Sequence, residues 1–150
     1  MEKEVLPNDV MLAEVARLLD EGREVIMRPN GVSMLPFIRG GIDSVALCKT
    51  DQLGVGDIAL ARFNGAYVLH RVVAIEGENV TLRGDGNLKG IEQGKRSEVL
   101  GIVTGIISPE GHRRKPGKAR MWQWLYPFRY YLLKFYRKWY KLLGKQYCKW

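Results

Sequence analysis

Between Glu24 and Ile107 the chain is a succession of short β-prone runs broken by Gly, Asp and Asn, with no helical period between them. No other feature constrains the fold as much, because several strands at this spacing without intervening helices pair largely antiparallel. Strands are expected near residues 24–28, 44–48, 57–63, 66–75, 79–83 and 99–107. Glu76-Gly77-Glu78-Asn79 reads as a hairpin, and Gly54-Val55-Gly56-Asp57 as a turn feeding Ile58. The expected class is mainly β, a curled antiparallel sheet or small barrel with a helix at each end.

The first helix is expected over residues 8–21. Asn8 or Asp9 caps it, Met11, Leu12, Val15, Leu18 and Leu19 recur along one face, and Gly22 ends it. The second runs from Pro127 to about Leu143. On a helical projection Phe128, Leu132, Phe135, Trp139, Leu142 and Leu143 form a stripe roughly 100° wide, with Lys134, Arg137, Lys138, Lys141 and Lys145 on the opposite side.

Charge divides the chain in the same way. Residues 1–110 hold all sixteen acids and twelve of the 24 Lys and Arg, a net of −4, whereas residues 111–150 hold twelve bases and no acid. All four Trp also lie beyond position 120. The expected organisation is therefore a domain over 1–107, a basic turn-rich linker over 108–120, and a basic aromatic tail over 121–150 that lies on an anionic membrane surface. Nucleic acid is a weaker fit to that tail, and packing on the protein's own body or a partner helix is the plainest alternative. No signal peptide is visible, and no run of eighteen apolar residues would cross a bilayer. Cys48 and Cys148 are too few and too scattered for a disulfide frame or zinc site, so a cytosolic setting is expected, peripheral on the inner face of the membrane.

Three segments carry the chemistry. Gly31-Val32-Ser33-Met34-Leu35-Pro36 sets a serine between a flexible and a rigid residue, Leu69-His70-Arg71-Val72 sets a histidine in an apolar strand, and Gly84-Asp85-Gly86-Asn87 sets an acid in a tight turn. A serine hydroxyl needs a base to become a nucleophile and a donor for the oxyanion. His70 is suited to take the proton, and an acid on its other ring nitrogen would orient it. Asp85 leads for that role. Gly31, Met34 and Pro36 shape the oxyanion and substrate side of the loop. Each segment also has a plainer reading: a loop serine bonding its own backbone, a packed strand histidine, and ordinary turn chemistry. Asp57 is assigned to a turn, Arg71 to structure or substrate contact, and His112 to solvent.

The residues GVSMLPFI resemble the serine box of type I signal peptidases and of the related SOS-repressor autoproteases. YVLHRVVAI resembles the box in which the endoplasmic-reticulum, archaeal and sporulation types have His-Arg in place of a lysine base. LRGDGN is similar to their Gly-Asp-x-Asn box, and GVGDIALARF to the strand before the base. The resemblance spans about residues 24–107 and implies a mainly antiparallel β fold with Ser33 as nucleophile and His70 as general base. It leaves the third member open between Asp85, Glu92 and none, because the endoplasmic-reticulum type has a further acid after its Gly-Asp-x-Asn box and Glu92 is what this chain offers there. Gly31 stands where many bacterial enzymes have a hydroxyl that helps build the oxyanion hole.

The expected function is that of a serine endopeptidase acting through an acyl-enzyme on a peptide or protein substrate, with small side chains beside the cut as the resemblance implies. No metal or organic cofactor is implied. Two other readings are a non-catalytic peptide-binding module on the same fold and an autoproteolytic regulator.

Overall fold

The structure, a computed structural model, describes residues 8–31, 33–86, 90–125 and 128–142. Pro127, Leu143, Lys145, Asn87 and Cys148 lie outside the described residues, as do the side chains of Asn8, Arg137, Lys141 and Leu142.

Helix α1 (Asn8–Asp20) precedes strands β1 (Val25–Met27), β2 (Ser44–Cys48), β3 (Ile58–Phe63), β4 (Ala66–Glu76), β5 (Asn79–Arg83), β6 (Glu92–Lys95), β7 (Val99–Ile107) and β8 (Arg113–Arg114). Two helices follow, α2 (Arg120–Trp124) and α3 (Arg129–Leu142). The strands form one curled antiparallel half-barrel sheet in the order β1-β2-β7-β3-β4-β5-β6, with β8 added to the end of β7. The fold is mainly β, as its turn-punctuated sequence requires.

Local chemistry explains the joints. The N–H of Arg23 donates to the Leu18 carbonyl and that of Gly22 to Leu19, with Gly22 at φ 82°; this is the Schellman ending that glycine makes easy. Asn64 and Gly65, both at positive φ, make the two-residue turn between β3 and β4 that matches strand twist. Register shifts at Ala46/Leu47, Leu60/Ala61 and Val72/Ala74 mark irregularities that bend the sheet.

The curl separates two apolar clusters. On one face Leu12, Val15 and Leu19 of α1 pack with Met27, Met34, Ile38, Leu47, Leu60, Leu69 and Ile106. On the other, Ala59, Ala61, Phe63, Val72, Val80 and Leu82 pack together. Along β4 the alternation sends Leu69 to the first cluster and Val68 and Val72 to the second.

Three elements depart from expectation. Strand β6 has the sequence Glu-Gln-Gly-Lys, which carries no apolar alternation, and it ends the sheet as a short charged edge of the kind that resists further pairing. The basic linker is not wholly loop, because Arg113 and Arg114 pair with Ile107 and Ile106. The C-terminal segment begins earlier than expected, with α2 ahead of α3. No helix among the described residues is long and apolar enough to cross a membrane.

Candidate active site

The serine sits in the connection between β1 and β2, a segment that folds onto itself. Gly41 N–H donates to the Pro29 carbonyl at 2.7 Å, and Gly40 lies so close to the Gly31 backbone that no Cβ fits between them. Gly31 itself has φ 97°, a conformation that favours glycine. Phe37 and Ile38 N–H groups both donate to the Met34 carbonyl, and the buried Asp43 carboxylate accepts from Arg39 through its backbone N–H, Nε and guanidinium. The Leu35–Pro36 peptide is cis. Met34, Leu35 and Ile38 are buried, so the segment is anchored from below by its own apolar residues.

Met34 is buried beneath the loop. Its side chain is part of the core cluster under the loop. It reaches the site only from beneath, as one wall of a recess of about 10 Å³ that Gly31, Ser33, Ile38, Gly40 and Leu69 also line. A space of that size has room for about one water at most. Pro36 is half-buried.

Ser33 is half-buried, and its carbonyl accepts from Gly86 N–H at 2.7 Å. The serine segment is thereby tied to the turn that contains Asp85. His70 lies on β4 opposite Ala59 and is 8% exposed. Its Nδ1 stands 2.8 Å from Glu92 Oε2, at the first residue of β6. A carboxylate accepts there, so the contact requires a ring proton on Nδ1. Strand β5 joins β4 only from Arg71 onward, so in the ladder residues 66–70 have β3 alone as neighbour. His70 is the last residue of that one-sided stretch.

Asp85 has a different partner from the expected one. Arg71, one residue after His70 and so directed to the opposite face of β4, engages both Asp85 oxygens: Nε at 2.9 and 3.1 Å, and a terminal nitrogen at 2.8 Å. The other terminal nitrogen donates to the Gly56 and Gly117 carbonyls at 2.7 and 2.9 Å. Both side chains are fully buried. The Phe37 ring lies against the guanidinium at 5.2 Å, and Trp122 meets Phe37 edge-on and donates Nε1–H to the Asp85 carbonyl at 2.9 Å. The Gly-Asp turn therefore fastens β4, the serine segment and α2 together, and the acid on the histidine is Glu92. Of the residues assigned to structure or solvent, Asp57 caps its turn by accepting from Gly54 N–H, Arg71 is buried and structural, and His112 is exposed.

An imidazole held through Nδ1 by a carboxylate, a tethered serine segment and a one-sided strand are among the parts that deprotonating an alcohol beside an extended peptide requires. Set against models of known protein families and against curated protein sequences, the chain matches none.

Proposed function

We propose that the protein is a serine endopeptidase whose curled sheet is of the signal-peptidase and SOS-repressor autoprotease type. The observation that carries this reading is the His70–Glu92 pair: a nearly buried histidine held through Nδ1, on a strand next to a glycine-rich serine segment. Leu69, the residue before His70 and directed to the other side of β4, lines the recess with Ser33, so β4 passes beside the serine segment. His70 Nε2 takes the Ser33 hydroxyl proton as Oγ attacks the scissile carbonyl, and the Ser33 backbone N–H faces the oxyanion. The imidazolium then gives that proton to the leaving amine as the C–N bond breaks. Water, deprotonated by the same nitrogen, releases the new carboxyl terminus and restores Ser33.

The substrate lies extended along residues 66–70 of β4, with a small side chain next to the cut as the resemblance implies. Incubating the full chain with a peptide library tests this. Cleavage at a restricted set of bonds that is lost in Ser33→Ala supports the reading, and an uncut library from folded protein removes it.

A further inference from the structure

The last helix presents its apolar residues outward. Phe128, Tyr131, Leu132, Phe135 and Trp139 are 62, 71, 46, 71 and 57% exposed, whereas Leu133 is 1% exposed. At 100° per residue the five exposed positions fall within one band about 100° wide, and Leu133 lies about 140° from Phe128, outside that band. The helix is therefore seated by another side, and the stripe is left facing solvent. An apolar surface of this extent is rare on a monomer without a partner.

We infer that α3, carried by α2, is a docking surface for an anionic lipid bilayer. Charge decides between the occupants. Exposed Lys138 and Lys134 lie about 20° and 60° beyond the Tyr131 edge of the stripe, and residues 111–150 contain twelve bases and no acid. Lysine is depleted from protein–protein contact surfaces, but it is the usual flank of a helix that lies in the headgroup layer with aromatic and aliphatic side chains below it. Single-stranded nucleic acid is bound along a basic groove with isolated stacking platforms, a different shape from an outward apolar ridge with Leu132 at its centre. Ahead of α3, α2 is held to the body by the Trp122 hydrogen bond to the Asp85 carbonyl and the edge-on contact of its ring with Phe37. The inference does not depend on Ser33 being a nucleophile.

Co-sedimentation of the full chain with vesicles tests it. With mixed phosphatidylglycerol and phosphatidylcholine vesicles at low salt the protein pellets, and with pure phosphatidylcholine it stays largely in the supernatant. Phe135→Ser with Trp139→Ser lowers partitioning by at least about tenfold, and Lys134→Glu with Lys138→Glu by a similar factor, with melting temperature and solution mass unchanged in both variants. A full chain that remains in solution with anionic vesicles overturns the inference, as does vesicle binding that survives either pair of substitutions. Earlier melting of the aromatic variant would assign the stripe to the fold, and a change in its mass would assign it to a second copy; either result equally overturns the inference.

Discussion

Glu92 Oε2 accepts from His70 Nδ1 at 2.8 Å across the gap between β6 and β4. That contact fixes the ring at one nitrogen. Glu92→Ala is expected to slow phosphonylation of Ser33 by a fluorophosphonate by about 10²–10⁴-fold, the range for general-base and orienting groups. Glu92 is partly exposed at a sheet edge, so the melting temperature is expected to change little. Comparing the labelling rates of the two proteins checks both statements.

Arg71 and Asp85 are a buried, hydrogen-bonded ion pair, and their removal is expected to be a matter of folding. Asp85→Ala leaves a guanidinium without its carboxylate in a fully buried place and is expected to cost about 3–5 kcal/mol in urea unfolding. Arg71→Met combined with Asp85→Leu is expected to lose less than Asp85→Ala alone, because no unpaired charge remains.

Trp122 joins α2 to the Gly-Asp turn through its hydrogen bond to the Asp85 carbonyl and to the serine segment through its ring contact with Phe37. Trp122→Phe keeps the ring contact with Phe37 and removes the donor, which is expected to cost about 0.5–1.5 kcal/mol. Deleting everything from residue 121 onward removes both and is expected to cost more. The two unfolding midpoints provide the comparison.

Gly40 is packed against the Gly31 backbone, and a methyl group there would push on the segment that positions Ser33. Gly40→Ala is expected to reduce Ser33 labelling by at least about tenfold. Gly90→Ala, where a Cβ meets nothing, is expected to change stability by about 0.5 kcal/mol or less. Parallel labelling of the two variants distinguishes a local from a general effect.

The sheet was legible because its signals are local: strand runs such as Ile58–Phe63 are bounded by their own turn residues, and Leu12, Val15 and Leu19 repeat at helical spacing. Strand β6 was not, because Glu92-Gln93-Gly94-Lys95 belongs to the sheet through pairing with β5 and through Gly94 lying flat against the Phe63 ring. The same blind spot governed the site. Both Asp85 and Glu92 were visible as acids after His70, but which one faces the imidazole depends on strand parity: Arg71 claims Asp85 on one face of β4, and Glu92 arrives on β6 to meet His70. The outward stripe of α3 was readable from spacing, but the seating of the helix by a different side was not. Leu133 lies outside the stripe, and only tertiary packing buries it.

Mapping the site of fluorophosphonate attachment tests the central claim most directly, because it requires a nucleophilic alcohol and its base together. The account predicts an adduct on Ser33 in the full chain, its absence in Ser33→Ala, and labelling slowed by at least about 10²-fold in His70→Ala. An adduct on another residue, or Ser33 labelling at an unchanged rate without His70, would contradict it.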